Sequence, residues 1–193
     1  LGCRSIKKAE IARDELLNQC DSSGRIELLE IDLSDLIKVN KSADQIITRY
    51  KRLDILVNNA GVMAPPYTLT PQGLELQFAV NHLSHMALSL KLLPLLAEQE
   101  QSRIVTVSSA AQYMGRLNWD DLQGKKKYDR WASYSQSKLA NVMFALSLHH
   151  KLTGLNIDIA SLSAHPGLAR TNLQSKSVEV NGSWQEAIAY KLM

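Results

Sequence analysis

Short apolar runs that alternate with longer helix-like segments limit this chain to a narrow set of folds. The apolar runs span 25–33, 53–58, 103–109 and 156–163. Helices are predicted over 5–19, from Ser34 or Asp35 to about Tyr50, from about Pro71 to Glu98, and from Trp131 to Thr153. Pro94 is expected to kink or divide the third helix. Such alternation is typical of parallel sheets, so the 193 residues are predicted to form one α/β domain with a Rossmann-like, doubly wound parallel sheet.

Polar or glycine-rich residues stand at the carboxyl ends of the predicted strands. They are Asp32, residues 58–61, Ser108 with Ser109, and residues 165–167. Because ligands of open α/β sheets bind beyond these strand ends, the sequence predicts a binding site there. The small residues of Asn58-Asn59-Ala60-Gly61 allow the backbone to approach a flat ligand. The alternative interpretation is a simple strand-to-helix turn, in which Asn and Gly are common.

Tyr134 and Lys138 are the first candidates for catalysis. Four residues apart on a helix, they share a face, so the ammonium can lie beside the phenol. An opposite charge favours the phenolate, and lowering a tyrosine pKa by about 3 units requires roughly 4 kcal/mol. Tyr134 can then act as a general acid or base. Ser109 can stabilise charge on a substrate carbonyl oxygen. Alternatively, the pair is an exposed helix pair and Ser109 a capping serine.

The order of these motifs carries a family resemblance. Asn58-Asn59-Ala60-Gly61, the strand ending at Ser109, Tyr-x-x-x-Lys at 134–138, and Pro166-Gly167 followed by Thr171 resemble the short-chain dehydrogenases/reductases over nearly the whole chain. The resemblance implies an oxidoreductase that interconverts a carbonyl and an alcohol by hydride transfer from or to a nicotinamide cofactor. It makes Tyr134 the acid/base and has Ser109 polarise the carbonyl. It has Lys138 hold the nicotinamide ribose and lower the Tyr134 pKa, and Asn81 maintain a proton-relay water.

The same resemblance implies a set of cofactor contacts. The residues implied to bind the cofactor are Arg4, Asp32, Leu33, Asn59, Ala60, Gly61, Tyr134, Lys138, Pro166, Gly167 and Thr171. Asp32 with Leu33 corresponds to the pair that meets the adenine ring, although an ordinary helix cap explains Asp32 almost as well. NAD-preferring relatives usually carry an acidic residue where Cys3 stands, and here Arg4 follows instead. A guanidinium suits a 2′-phosphate, so NADP(H) is predicted over NAD(H).

The family's glycine-rich, pyrophosphate-binding turn has no counterpart in this sequence. The resemblance places Leu1 at the close of the second strand, so the sheet is expected to lack its first strand and most of its second. In the strand order 3-2-1-4-5-6, that would separate the strands on either side and leave unpaired edges. Met193 also falls earlier than the family's usual end. Two classes remain: an enzyme seen in part, favoured by the intact catalytic residues, or a truncated, non-catalytic form that binds a protein partner.

The segment between Ser109 and Tyr134 bears on the substrate. With Asn118-Trp119-Asp120-Asp121-Leu122 and Trp131-Ala132-Ser133-Tyr134, it resembles the branch that holds retinol dehydrogenases and relatives of light-dependent protochlorophyllide reductase. The resemblance points to a bulky, apolar carbonyl or alcohol substrate. Packing within the loop is an equal alternative for Trp119 and Trp131. The family often dimerises through two long helices, which leaves a homodimer open.

Composition excludes several other classes. The net charge is +3, and the basic run 125–127 is flanked by aspartates, so it predicts a solvated loop and no nucleic-acid partner. Two cysteines without a signal peptide indicate reduced thiols and a cytoplasmic protein, although a targeting segment or anchor upstream of Leu1 stays open. No apolar run approaches the roughly 18 residues of a membrane span. His82 and His85 are interpreted as helix-surface histidines, with no metal site, and Ser109 with His165 lacks a hydrolase elbow.

Overall fold

The computed structural model describes residues 1–19 and 25–167. Its elements are, in chain order, β1 (Gly2–Cys3), α1 (Ile6–Gln19), β2 (Leu29–Glu30), α2 (Leu36–Arg49), β3 (Ile55–Asn58), α3 (Leu76–Phe78), a π-helical segment (Ala79–Leu83), α4 (Ser84–Ala97), β4 (Ser102–Val107), a 3₁₀ helix (Ala110–Met114), α5 (Arg130–Gly154) and β5 (Ile159–Ala164). The predicted alternation of strands and helices is therefore confirmed.

The strands form two parallel sheets. β1 pairs with β2, and β3, β4 and β5 form a three-stranded sheet with β4 in the centre. The predicted separation of the sheet into these two groups is confirmed within the described residues. Among the described residues β3 therefore pairs on one edge only, and its side chains Ile55 and Val57, on one face of the strand, are 52% and 55% exposed.

Helices α4 and α5 pack on the three-stranded sheet, and α2 packs on α4. Alternate residues of β4 are buried, and Ile104 packs with Leu96 of α4 and Leu148 of α5. A second cluster joins α2 to α4 through Val39, Ala43, Leu88, Leu92 and Leu95. A fully buried leucine contributes roughly 1.5–3 kcal/mol, so these two clusters hold the helices that carry the candidate site.

Acidic caps explain where two of these helices begin. The Asp35 carboxylate accepts from the N–H groups of Ile37 and Lys38, so the prediction that Ser34 or Asp35 caps α2 is confirmed at Asp35. Asp129 caps α5 by accepting from Ala132 N–H at 2.7 Å. Each cap satisfies main-chain donors that lack a helical partner, which typically stabilises a helix by about 1 kcal/mol.

Two sequence expectations differ from the structure. The run 25–33 was expected to be a strand throughout, and only Leu29–Glu30 pairs, because its parallel partner β1 is two residues long. The predicted helix from Pro71 to Glu98 begins only at Leu76, and its irregularity is the π-helical segment rather than Pro94. Pro94 lies inside α4 without dividing it. The residue whose carbonyl it leaves unpaired, Leu90, is exposed to water.

Within the described residues, none of the helices is long and apolar enough to cross a membrane.

Candidate active site

The turn after β3, the end of β4 and the start of α5 meet at one site. A methyl group at Gly61 would lie 2.9 Å from Asn81 Oδ1 and 3.7 Å from Lys138 Nζ, so this turn passes close to both side chains. Ser108, just beyond β4, donates its hydroxyl to the Lys138 carbonyl oxygen at 2.8 Å. Glycine is needed at 61 because a side chain there would displace Asn81. The structure thus brings three of the predicted residues, Gly61, Asn81 and Lys138, together.

Tyr134 and Lys138 lie buried on the same face of α5, as their spacing predicts. The Lys138 ammonium nitrogen lies 5.8 Å from the centre of the Tyr134 ring and donates to the Val107 carbonyl oxygen at 3.1 Å. Burial lowers the pKa of Lys138 to about 8, because desolvation disfavours the charged form. The alternative of an exposed helix pair is therefore wrong.

The pKa of Tyr134 is raised in this structure, not lowered. Burial raises it by disfavouring the phenolate, and a side-chain hydrogen bond with Ser109 opposes that rise. Lys138 does not lower the Tyr134 pKa as expected; its ammonium lies 5.8 Å from the ring centre and donates to the Val107 carbonyl. The neutral phenol is therefore the stable form of Tyr134 here.

Ser109 combines two of the interpretations given to it. Its hydroxyl accepts from Ala111 N–H at 3.3 Å and caps the 3₁₀ helix, as the capping alternative requires. It also interacts with the Tyr134 hydroxyl. The cap fixes the orientation of the Ser109 side chain, and the second contact places that side chain beside the candidate acid/base.

Asn81 is fully buried in the π-helical segment. Its Oδ1 accepts from Val62 N–H at 2.8 Å, and its Nδ2 donates to Val62 O at 3.0 Å and to Ser137 Oγ at 2.9 Å. Asn81 fastens the loop after β3 to α5, and a π turn, which is frequent at functional sites, supplies its position.

His82 and His85 are buried, so their interpretation as helix-surface residues is wrong. The ring nitrogen Nδ1 of His82 lies 3.2 Å from Asn141 Oδ1, and Nε2 of His85 lies 2.8 Å from Ala60 O. Both residues lie at helical spacing between Phe78 and the buried Leu88 and Leu92. The sequence therefore contained an apolar stripe that would have predicted their burial. No group of three or more potential metal ligands occurs among the described residues.

The acceptors around the two histidines fix opposite tautomers. Ala60 O can only accept, so Nε2 of His85 carries its proton. The Asn141 amide donates to Val107 O, which turns Asn141 Oδ1 toward His82 and puts the His82 proton on Nδ1. Burial lowers the pKa of both rings, that of His85 to about 4. We expect long-range ¹H–¹⁵N spectra at pH 7.5 to show opposite neutral tautomers for the two histidines, and both rings to titrate below the ordinary histidine pKa. A shared tautomer, or a pKa near 6.5, would contradict this arrangement.

The same burial makes folding sensitive to acid. The unfolded chain binds a proton at His85 near pH 6.5 and the folded protein only near pH 4, so stability falls as the pH drops through this interval. The difference is worth about 3 kcal/mol. The variant His85→Gln keeps a donor for Ala60 O and cannot titrate. Urea unfolding between pH 4 and 7 should therefore show a shallower pH dependence for this variant than for the wild type.

Arg4, Asp32 and Leu33, which are predicted to bind the adenosine half of the cofactor, are distant in sequence from this cluster. Asp32 is not a helix cap: it accepts from the N–H and hydroxyl of Ser34 and pairs with Lys38 at 3.3 Å. Leu33 is half-buried, and its carbonyl accepts from Ser84 Oγ. Arg4 is exposed directly after β1.

The predicted contacts at the end of β5 are only partly visible. Pro166 and Gly167 are exposed, and Gly167 adopts a φ of 69°, with its N–H donating to His165 Nδ1 at 3.1 Å. The predicted contact Thr171 lies outside the described residues. Asn59 and Ala60 are exposed beside the turn at Gly61.

Sequence reasoning missed Asn141 and Gln77. Asn141 lies three residues after Lys138, on the same face of α5, and its Nδ2 donates to Val107 O at 3.1 Å. Gln77 is fully buried, accepts from Ala64 N–H and donates to the Tyr128 hydroxyl, which ties the loop after β3 to the loop before α5. Helical spacing from Tyr134 and Lys138 was the available signal for Asn141. Gln77 offered none, because its partners are distant in sequence.

The loop between β4 and α5 excludes packing within the loop as an explanation for Trp119, and it supports the prediction of a solvated loop at 125–127. Trp119 is 73% exposed, so packing within the loop does not explain it. Trp131 makes an edge contact with the Tyr134 ring at 6.3 Å. The carboxylate of Asp121 accepts from all three N–H groups of the basic run 125–127, in agreement with an ordered, solvated loop.

Comparison with known proteins identifies the class to which this fold and site belong. The sequence model of the short chain dehydrogenase family matches residues 3–181. The chain therefore belongs to the short chain dehydrogenase family, and its curated relatives place it near the retinol dehydrogenases. Retinol dehydrogenase 14 of Mus musculus is 40% identical over 182 residues, which cover 90% of this chain and 54% of that protein. Retinol dehydrogenase 13 of Homo sapiens is also 40% identical, with coverages of 95% and 54%.

The chain spans about half the length of these curated relatives. Among solved structures, a protein from Mycobacterium Paratuberculosis is 39% identical with a TM-score of 0.77, covering 97% of this chain and 65% of that one. A short-chain dehydrogenase from Sphingobium yanoikuyae in complex with NADPH has a TM-score of 0.71 at 17% identity, covering 94% and 65%. The second similarity supports the fold alone.

Proposed function

We propose that the protein carrying this chain is an NADP(H)-dependent oxidoreductase that interconverts a carbonyl and an alcohol by hydride transfer, with Tyr134 as the acid/base. The observation that carries the proposal is the joint burial of Tyr134 and Lys138, with the ammonium 5.8 Å from the ring centre and Ser109 hydrogen-bonded to the phenol. A structural role alone gives no reason to bury a phenol and an ammonium together, because each is costly to desolvate.

The residues present fit a nicotinamide cofactor. The absent side chain at Gly61 leaves backbone open beside Lys138, and an ammonium that has Val107 O as its acceptor keeps further N–H groups for ribose hydroxyls. Residues 59–61, Tyr134, Lys138, Pro166 and Gly167 would hold the nicotinamide half, with Thr171 as a further predicted contact. Asp32 and Leu33 would meet the adenine. When bound, the nicotinamide supplies a hydride to a carbonyl or accepts one from an alcohol.

The side chains at the site manage the proton and the charge. In reduction, the carbonyl oxygen gains negative charge, which the Ser109 hydroxyl stabilises by hydrogen bonding. Tyr134, held neutral by burial, donates its proton to that oxygen, and the Ser109 hydrogen bond, which lowers the Tyr134 pKa, favours the phenolate left behind. In oxidation the same phenolate accepts the alcohol proton. Asn81 fixes α5 against the loop after β3 and is proposed to maintain the relay water.

Arg4 is proposed to select NADP(H). Its exposed guanidinium follows β1 and can bind a 2′-phosphate with two charge-assisted hydrogen bonds. We expect Arg4→Ala to raise KM for NADPH roughly 10- to 100-fold and to leave KM for NADH nearly unchanged, from the usual strength of such bonds. Steady-state kinetics with both cofactors test this, with Lys7→Ala, an exposed charge on α1, as the control. A wild-type enzyme that used NAD(H) more efficiently would overturn the assignment.

The substrate is proposed to be a bulky, apolar carbonyl compound or alcohol. The exposed Trp119 and the Trp131 ring beside Tyr134 support this, as do the relatives whose names specify retinol. The test is NADPH-dependent reduction of a panel from acetaldehyde to long polyene aldehydes, by the 193-residue polypeptide and by a form extended at both ends. Reduction of none of these by the longer form would refute the proposed function.

The open edge of β3 favours a second candidate. Among the described residues β3 pairs only with β4, so its other edge can bind another strand, and the exposed side chains of Ile55 and Val57 would add apolar contacts. A polypeptide of only these residues could then act as a protein-binding module. Failure of the 193-residue polypeptide to bind NADPH, together with self-association lost in Val57→Lys, would support that role.

A homodimer of the longer enzyme is also proposed, through exposed Leu90 of α4 and Met143 and Leu146 of α5.

A further inference from the structure

Lys138 and Asn141 donate to one and the same carbonyl oxygen. Lys138 Nζ and Asn141 Nδ2 each lie 3.1 Å from Val107 O, at the last residue of β4. Both donors are buried, and a carbonyl oxygen has two lone pairs, so the two bonds fill its capacity. The ammonium is therefore one of two donors to this acceptor, and the strength of its bond depends on the other.

Asn141 is itself fixed by a residue of the π-helical segment. His82 Nδ1 approaches Asn141 Oδ1 at 3.2 Å, and the His82 ring packs between Phe78 and Phe144, with ring centres 5.2 and 6.2 Å away. The hydrogen bonds run in one direction, from His82 through the Asn141 amide to Val107 O. The amide cannot turn over without placing its oxygen against a carbonyl oxygen.

We propose that Asn141, oriented by His82, is a positioning residue for Lys138: by satisfying the Val107 carbonyl it keeps the ammonium available to the nicotinamide ribose. This rests on the proposed function of Lys138. Without Asn141, Lys138 becomes the remaining side-chain donor to a buried acceptor, and any movement toward the ribose leaves that acceptor unpaired. The amide thus weakens the competing bond that the ammonium makes within the protein.

The kinetic test is a double-mutant cycle in the full-length protein. We expect Asn141→Leu, which keeps the side-chain volume, to lower kcat/KM for NADPH roughly tenfold, from the usual cost of an unpaired buried acceptor. In the Lys138→Met background the same substitution should change the residual activity less than twofold, because the partner is gone. Equal losses in both backgrounds would overturn the proposal.

A second variant and a control separate positioning from loss of structure. His82→Phe keeps the ring contacts and removes the donor to Asn141, so a smaller loss of about threefold is expected, following the usual range of hydrogen-bond energies. Ser42→Ala also deletes a hydrogen bond from a buried side chain to a main-chain carbonyl, that of Glu30, away from Lys138. It should lower stability and leave kcat/KM unchanged. A comparable loss of kcat/KM in Ser42→Ala would show that the Asn141 effect arises from lower stability and not from positioning of Lys138.

The cofactor-free protein provides a readout that does not depend on activity. In Asn141→Leu the bond from Lys138 to Val107 O is no longer shared, which favours the charged form, so the Lys138 pKa should rise from its wild-type value. NMR titration of the lysine side-chain signals measures this, and His82 should lose its fixed tautomer. Unchanged Lys138 and His82 signals would refute the shared-acceptor mechanism. Absence of carbonyl reduction in the wild type would refute only the proposed function.

Discussion

Replacing Tyr134 by phenylalanine should lower kcat for carbonyl reduction by roughly 10²- to 10⁴-fold, the usual contribution of a positioned general acid. The substitution removes one oxygen atom. The ring keeps its edge contact with Trp131 and its contact with the Lys138 ammonium. The variant should therefore fold normally and bind NADPH with near-native affinity, because the lost group acts on the developing alkoxide.

The measurement is single-turnover reduction with saturating NADPH, alongside a thermal melt. Tyr113→Phe is the matched control, since it deletes the same atom from a side chain that is 82% exposed four residues after Ser109. Its rate should equal that of the wild type. A Tyr134→Phe enzyme that retained more than a tenth of the wild-type rate would remove Tyr134 from the chemistry and leave Ser109 as the remaining hydroxyl for that role.

The Tyr134 pKa is where sequence reasoning and structure differ most in chemical consequence. Spacing alone predicts that Lys138 shares a face with Tyr134, and this is confirmed. The spacing does not give the distance from the ammonium to the phenol oxygen, nor does it reveal other acceptors for the ammonium. In the structure the ammonium donates to the Val107 carbonyl. A phenol held neutral by burial is ready to donate a proton, whereas accepting one requires Lys138 to act on the phenolate more strongly than it does here.

What the sequence predicted well is set by local chemistry. A cap at Ser34 or Asp35 was expected at the start of α2 because capping residues leave a local signature, and α5 was expected as a long helix. The strand-end motifs were recognised because the carboxyl ends of parallel strands lie at the same edge of the sheet, where ligands bind. The burial of His82 and His85 was missed because a polar ring on an apolar stripe is explained only by its partners Asn141 and Ala60, which tertiary contact supplies.

The π-helical segment illustrates the limit of periodic patterns. An α-helical repeat predicts one continuous helix through this region, yet Ser84 N–H bonds to Ala79 O, five residues earlier. The extra residue in this turn lies where Asn81 binds the loop after β3 and Ser137 of α5. Those hydrogen bonds link parts of the chain up to 56 residues apart, so no short window of sequence contains the reason for the irregularity.

Substituting alanine for Gly115 should cause the largest loss of stability among the single substitutions considered, about 3 kcal/mol, at the upper end of what overpacking usually costs. The added methyl would lie 2.6 Å from the Ser135 carbonyl oxygen and 2.9 Å from Leu139 Cβ, both on α5. The nearer contact is main chain inside a helix and cannot turn aside. Relief requires the 3₁₀ helix to move away from α5.

That movement would also separate the two hydroxyls of the proposed site, because Ser109 caps the 3₁₀ helix that ends at Met114, just before Gly115, whereas Tyr134 lies on α5 beside Ser135. We therefore expect Gly115→Ala to lose activity as well as stability, even at temperatures where it remains folded. Urea unfolding and kcat at 15 °C measure the two effects. Gly154→Ala is the control: a methyl at this last residue of α5 meets nothing within 4 Å, so stability should stay level or rise slightly. Equal unfolding midpoints for both variants would show that the 3₁₀ helix is not held against α5 as closely as these distances require.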